Sequence, residues 1–589
     1  MRIRKRLLAL ALMSCAVAGI VAQNNDHNFK VAKNIDLFTA IYKNLDMLYV
    51  DSLDADKVIG EGIDAMLASL DRYTEYYRPE DSNDLKFKLT GKYAGIGSTI
   101  KYNYKEGCAC IDEPYIGMPA QEAGLRKGDI IVSIDDSLMK GKEVSYVSER
   151  LRGDAGTSFV LKIHRPSTDK DMIFKITRRL IQTPAVPYYG MIADGVGYVS
   201  LTTFSENCGQ LVRNAVIDLN RQGMQSLVLD LRSNGGGSEV EAVNVVNVFV
   251  PKGRFVVANR GKAENVSRNF STQVEPVDTL LPLVVLVNGT TASASEIVSG
   301  ALQDMDRAVI LGTRTYGKGI VQTMLELPYN AQMKLTTNKY YIPSGRCIQA
   351  RNFRKTDSAS EELVADSLAK VFLTANGRKV KDAGGIQPDV EVAADSLPNI
   401  VYYLAYMRDS SEVMHSYILD YIDRHPTIAP AADFELTDAD YEDFRKMVVE
   451  SGFKYDPLSN AVYDELVKMS KYEGYYDDAK AEFEALKTKL RHDVGKDLDK
   501  VKDVVKELLA GEIVTVYYYQ SGRVRNALRH DKFFKEACRL LANPEEYRTL
   551  LSGKGGITGL SGRGIIEVAC TGNMGCCTRR GLPQQSWTY

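Results

Sequence analysis

Histidine is scarce in this chain of 589 residues: His27, His164, His415, His425, His492 and His530 are the only six, so the stretch from 165 to 414 contains none. That gap excludes a Ser-His-Asp triad or a histidine-bearing zinc motif there, and any base in the stretch must be Lys, Asp, Glu or Tyr. Charge of one sign is lacking too. With 74 Lys+Arg against 76 Asp+Glu the net charge is −2, which gives no basic field for counterion release and argues against nucleic acid as a partner. Beyond the N-terminal residues no run of 18 apolar residues occurs, which argues against a polytopic membrane protein. The nine cysteines, at 15, 108, 110, 208, 347, 538, 570, 576 and 577, are scattered rather than spaced as a disulfide framework or a zinc site. No metal is expected, and the thiols read as isolated. What remains is ordinary globular composition, 44% hydrophobic and 25% charged, in a chain long enough for roughly three to five domains.

The N-terminus carries Arg2, Arg4, Lys5 and Arg6 and then an apolar run from Leu7 to Ala22. That pattern predicts an export signal over 1–22, cut after Ala22, and a periplasmic or envelope location. A rival reading is lipidation at Cys15, in Leu12-Met13-Ser14-Cys15, which alone would anchor the protein to a membrane.

Apolar residues at helical spacing (Leu37, Ile41, Leu45, Leu48, then Ile59, Ile63, Met66, Leu70) predict two amphipathic helices in an N-terminal helical region, 23–84, able to pack on the core or on a second subunit. From 85 to 180 short β-rich runs dominate, among them Ala94–Lys101, Asp129–Ile134 and Ser158–His164. Within 181–395 strands and helices alternate: strands 197–201, 226–231, 283–288, 308–312 and 320–325, helices 209–222, 239–249 and 294–305. This alternation predicts an α/β layered core. Residues 396–548 read as charge-rich helices, with the Lys, Asp and Glu of 478–509 on a solvated face. Residues 549–589, glycine-rich and carrying the only tryptophan, Trp587, read as a disordered tail.

Three stretches of the α/β region carry chemistry. In Leu283–Val298 an apolar strand runs through Asn288-Gly289-Thr290-Thr291-Ala292 into a helix, placing Ser293 at the helix N-terminus. A nucleophile there would meet the positive end of the helix and small neighbours, although serine is also an ordinary N-cap. In Tyr316-Gly317-Lys318-Gly319-Ile320, a lysine between two glycines enters an apolar strand. Desolvated, its amine would lose its proton near neutral pH and could act as a general base; exposed, it is a surface charge at a turn. Gln322 follows four residues later, on the same face of a strand, where its amide could orient that amine. In Ser226–Gly237 a buried strand ends in Gly235-Gly236-Gly237, whose backbone N–H groups could bind an anion. No Gly-Lys-Ser/Thr ending marks a phosphate loop.

Together, Asp230-Leu-Arg-x-Asn-x-Gly-Gly, Ser293-Ala-Ser-Glu, Thr315-Tyr-Gly-Lys318-Gly, Tyr341-Ile-Pro-Ser-Gly-Arg346 and Gly384-Gly-Ile-x-Pro-Asp389 resemble the C-terminal processing (tail-specific) serine peptidases over residues 35–395. The run Pro119–Asp129, a short helix and a glycine turn launching a strand, resembles part of a PDZ domain. The resemblance implies a multidomain α/β protein, with a crotonase-like α/β protease core, a PDZ-like β-rich domain and helical N- and C-terminal regions. It implies Ser293 as nucleophile, Lys318 as general base, Gln322 as the residue positioning the lysine, and the amides of Gly236 and Ala294 as oxyanion hole. The chain departs from the family pattern at Gly235, where proline is frequent, and at Thr290-Thr291, where serine is frequent.

Tyr93-Ala94-Gly95-Ile96-Gly97 resembles the carboxylate-holding loop of PDZ domains, with Ser98–Lys101 as accepting edge and the helix around Glu143–Leu151 as opposite wall. An ordinary glycine turn is the alternative. Arg152 is placed either to couple tail binding to the core or simply on the surface. The expectation is an exported serine endopeptidase acting on proteins with flexible C-termini, without cofactor, its flanking helices suited to a homodimer. The alternative is a catalytically silent tail-binding adaptor.

Overall fold

The computed structural model describes residues 26–79, 92–352, 362–363, 366–407 and 411–553. The expected signal segment, Cys15 and residues 554–589 lie outside them. The chain divides into two compact units, the smaller built around residues 1–79 and 323–336.

In the smaller unit the two expected helices form, over 26–48 and Ala55–Ala68. The second starts at Asp54, whose carboxylate accepts the Lys57 N–H at 3.1 Å, an N-cap that satisfies an orphan donor. Glu75–Tyr77 then pairs antiparallel with residues 332–334. The apolar positions of the first helix, Phe38, Ile41 and Leu48 among them, are exposed.

The larger unit begins with an antiparallel sheet in the order Ser98–Asn103, Cys108–Pro114, Ile130–Ile134, Ser158–Arg165, Lys170–Thr177. Alternate residues of Ser158–Arg165 point inward, Phe159, Leu161 and Ile163 meeting Ile111, Ile131 and Val147 in one core. Asp129 and Arg165 form a buried two-pronged ion pair, at 2.7 and 2.8 Å. The expected strand Ala94–Lys101 is broken in two. Lys92–Gly95 pairs with Arg179–Gln182, the chain turns at Gly97 (φ 69°), and only Ser98–Asn103 joins the sheet. A Cβ on Gly97 would come within 2.4 Å of Met118, so the turn both needs and betrays a glycine.

The α/β sheet has the order Tyr188–Ala193, Val196–Ser200, Ser226–Asp230, Leu283–Val287, Val309–Gly312, Val390–Glu391, parallel except at its first pair. Its four inner strands are buried along their whole length and mostly apolar because both faces are covered. Leu227, Leu229, Val285 and Val287 face Cys208–Arg221, Glu239–Phe249 and Ala294–Asp304. The alternating set, Tyr198, Val228, Val284 and Leu286, packs under Phe534, Ala537, Leu540 and Tyr547 of the last two helices, Lys532–Leu541 and Pro544–Leu551. The helical region expected over 396–548 therefore ends as a layer of the sheet, and its last described helix runs past the expected boundary at 548. Its earlier helices keep a core of their own, including Tyr417, Tyr441, Phe444 and Val505.

Candidate active site

Strands Ser226–Asp230 and Leu283–Val287 are parallel neighbours, so the loops leaving their C-terminal ends meet at one edge of the sheet. Side chains and backbone lace the two loops together. Ser233 N–H donates to Asn288 Oδ1 (2.9 Å), Thr291 Oγ1 to the Leu231 carbonyl (2.9 Å), and both Ala292 N–H (3.0 Å) and Ser295 Oγ (2.9 Å) to the Asn234 carbonyl.

Ser293 stands at the start of the fully buried helix Ala294–Asp304, with φ 57° and ψ −117°. An ordinary N-cap has extended backbone. A serine held in a sparsely populated region, at a cost of about 1–3 kcal/mol, is instead the mark of a side chain presented by a sharp strand-to-helix turn. Gly236 (φ 102°) closes on this turn: a Cβ there would lie 2.7 Å from Ser293 Cβ and 3.0 Å from the Ala294 nitrogen. Ala294, at the first helical position, has an N–H that no intrahelical carbonyl can reach. The Gly236 N–H, expected to face an oxyanion, donates to Asn234 Oδ1 at 2.9 Å. The reason is local, since an Asn side chain readily caps its own backbone two residues on.

Lys318 is half-buried and precedes the strand Ile320–Glu326, so the expected shared strand face with Gln322 does not apply; only Gln322 lies in the strand, half-buried. The flanking glycines answer to packing. A Cβ on Gly317 would meet Ala350 Cβ at 2.1 Å, and one on Gly319 the Gln349 nitrogen at 2.7 Å.

What joins the serine to the lysine is Glu296, a residue the sequence reading carried only as part of a motif. Wholly buried, its Oε2 accepts both the Ser293 N–H and the Lys318 N–H at 2.9 Å, while Oε1 accepts the Gly317 N–H (2.7 Å) and the Thr315 hydroxyl (2.6 Å). Burial pushes its pKa up to about 7, against the pull of these four donors. Its signal in the sequence was a Glu three residues after a helix-initiating serine. Tyr340, also buried, sets its hydroxyl 2.6 Å from the Lys318 carbonyl and 3.3 Å from that of Ser293.

In the β-rich region, Ser98–Asn103 is an edge strand and the helix Val144–Leu151 packs beside it, as expected of the two groove walls. Tyr93, Ala94 and Gly95 are in a strand rather than a free loop, with the Ala94 carbonyl accepting the Gly153 N–H (3.2 Å); Ile96 and Gly97 are buried. Arg152 lies over the Tyr93 ring, 5.1 Å from its centroid. Burial raises the Tyr93 phenol pKa and Arg152 opposes the rise. Among the described residues no group of three or more His, Cys, Asp or Glu side chains is disposed to hold a metal ion.

Residues 195–359 match the family model described as Peptidase family S41, residues 111–165 that of a PDZ domain, and residues 400–541 that described as "Probable PDZ-protease, C-terminal helical domain". The chain is 35% identical over 337 residues to the carboxy-terminal-processing protease of Bartonella bacilliformis, covering 56% of this chain and 76% of the relative. It is 32% identical over 324 residues to a Staphylococcus aureus protein named "Probable CtpA-like serine protease", covering 54% of this chain and 64% of that one. Among solved structures, the photosystem II D1 C-terminal processing protease is 28% identical and matches 64% of this chain and 97% of its own, with a TM-score of 0.34.

Proposed function

From the premise that the chain belongs to peptidase family S41 and is a serine protease carrying a PDZ domain, we propose that it hydrolyses peptide bonds of unstructured C-terminal tails through a Ser293–Lys318 dyad. The observation that carries this reading is the single carboxylate oxygen, Glu296 Oε2, that accepts the backbone N–H of both residues at 2.9 Å. It ties the two peptide planes to one point, so that the serine turn and the lysine turn form one rigid piece.

The neutral Lys318 amine takes the Ser293 hydroxyl proton as Oγ attacks the scissile carbonyl. The oxyanion is received by the Ala294 N–H, and by the Gly236 N–H once it turns from Asn234. The lysine's proton passes to the departing amine as the C–N bond breaks; water then attacks the acyl-enzyme with Lys318 again as base, and the acyl–Oγ bond breaks as that proton returns to Ser293. Gln322 orients the amine. The tail adds as a strand to the edge Ser98–Asn103, its carboxylate held by N–H groups of the Tyr93–Gly97 segment, and Arg152 beside Tyr93 senses its arrival. The protein acts outside the cytoplasm after loss of residues 1–22, is membrane-anchored only if Cys15 is lipidated, and has N-terminal helices suited to a homodimer.

Mass spectrometry of a disordered substrate incubated with wild type, Ser293→Ala and Lys318→Ala tests the reading. Cleavage by wild type alone, weakened when the substrate C-terminus is amidated, is expected. Cleavage by Ser293→Ala would overturn the dyad, and tail binding without turnover by any version would favour the silent adaptor. Against that adaptor stands the backbone strain at Ser293, a cost that a protein with no use for the hydroxyl has no reason to retain.

A further inference from the structure

The loop that carries Gly236 is held from several sides. Three of its residues, Ser233 (φ 58°), Gly236 (φ 102°) and Gly237 (φ 141°), have positive φ, and the Asn288 side chain and the Phe204 N–H hold its backbone at Ser233 and Gly236. On the inner side the grip is Asn234, fully buried, whose amide donates to the Leu201 carbonyl at 2.8 Å. On the outer side it is Arg232. That guanidinium meets Asp230, two residues back at the end of the strand Ser226–Asp230, through Nε (3.0 and 3.1 Å) and Nη2 (2.6 Å). Its long-range partner is Asp531, whose Oδ2 accepts Arg232 Nη2 at 2.5 Å, 299 residues further along the chain.

Asp531 is placed to do this by a second task. Its other oxygen, Oδ1, caps the helix Lys532–Leu541 by accepting the Phe533 and Phe534 N–H groups (2.8 and 3.1 Å), so the carboxylate has one allowed orientation. The Phe533 ring lies under the guanidinium at 5.2 Å. Two carboxylates against one guanidinium leave an excess negative charge. The positive end of the Lys532–Leu541 helix, and the Tyr198 hydroxyl donating to Asp230 Oδ2 at 2.7 Å, offset it. Burial alone would lower the pKa of Arg232, but the two aspartates more than compensate and hold it above its usual value.

We propose that Asp531, in the C-terminal helical region, is a positioning residue for the peptidase site: by clamping Arg232 from outside the sheet it fixes the place of the Ser233–Gly237 loop, so that the Gly236 N–H is within reach of an oxyanion when it turns from Asn234. The proposal rests on the reading of Ser293 and Gly236 given above. It makes the last helices of the chain part of the catalytic apparatus, through one side chain that touches neither substrate nor Ser293.

The test uses the full chain with Asp531→Asn, which keeps a good N-cap but removes the charge, and Asp531→Ser as a second capping, uncharged variant. Loss of a whole oxyanion donor lowers kcat by about 10²–10³; a loosened one is expected to lower it roughly tenfold, with KM within about twofold and the thermal midpoint nearly unchanged. Unchanged kcat in a preparation whose wild type cleaves and whose Ser293→Ala does not would overturn the proposal while leaving the dyad standing. A loss of kcat accompanied by a matching loss of folded protein would also overturn it. If wild type itself does not cleave, the dyad reading fails and amide hydrogen exchange decides the proposal alone. Protection of the 231–238 segment should fall several-fold in both variants while strand 226–230 and helix 532–541 keep theirs, and unchanged loop protection would sink it.

Discussion

In the proposed dyad, Ser293 is the residue at which stability and function pull in opposite directions. Its φ of 57° costs a residue with a Cβ energy that glycine would not pay. Ser293→Gly is therefore expected to be inactive yet more stable than Ser293→Ala by about 1 kcal/mol, read as a shift of the urea midpoint at constant slope. Equal midpoints would mean that the turn is not strained. Glu296 shows why a chemical reading of the sequence looked past it. A carboxylate in a serine peptidase motif suggests acid–base work, but this one spends its two oxygens on four donors, and its contribution is geometric.

At the scale of elements, the informative pattern is the alternation within the central strands. Tyr198 and Phe534 meet edge to face at 5.7 Å between ring centroids, on the side of the sheet opposite the three α/β helices. Phe534→Ala should leave a cavity under the sheet and cost about 3–5 kcal/mol. The loss should appear as faster hydrogen exchange in Ser226–Asp230 and Leu283–Val287, not only in the helix itself. If exchange changed in the helix alone, the last helices would be an appendage and not a layer. The boundaries of the strands and helices expected between 197 and 325 were legible within a residue or so, because long apolar runs and helical periodicity are strong local signals. The break at Gly97 was not, because two half-strands that pair with different partners look like one strand in sequence.

Across the larger unit, the β-rich domain is fastened to the C-terminal helices by polar contacts. Lys127 reaches Asp112 (2.8 Å) and Glu512 (3.5 Å), Gln121 reaches the Tyr519 hydroxyl (2.6 Å), and Glu412 accepts the Tyr104 N–H (2.8 Å). Lys101 donates to His415 Nδ1 at 2.8 Å, and the other ring nitrogen, buried, has no partner among the described residues. Burial first, then the nearby Lys101 and Lys127, push the His415 pKa down to about 3, with Asp112 opposing. Unfolded, the same imidazole titrates near 6.5. Between those values the unfolded chain holds the proton that the folded one refuses, so stability is lost as pH falls below about 6.5, with a slope of up to ~1.4 kcal/mol per pH unit from this group. His415→Phe should remove that part of the slope in urea titrations between pH 7 and 4.5. An unchanged slope would mean that the imidazole is protonated in place.

By itself the sequence determined the local elements of the α/β region and nominated candidates for the proposed site. Ser293, Lys318, Gln322 and the glycine loop stood out because apolar runs, glycines and small residues act over a few positions, because the histidine gap from 165 to 414 left few residue types for a base, and because their motifs resemble a known family. Only the tertiary structure decided how they are held. The Glu296 oxygen shared between Ser293 and Lys318, the grip of Asp531 on Arg232 across 299 residues and the burial of His415 all depend on which chain segments meet. Such contacts leave little trace in local periodicity, since a buried carboxylate and a solvated one are written with the same letter until the fold sets the water around them.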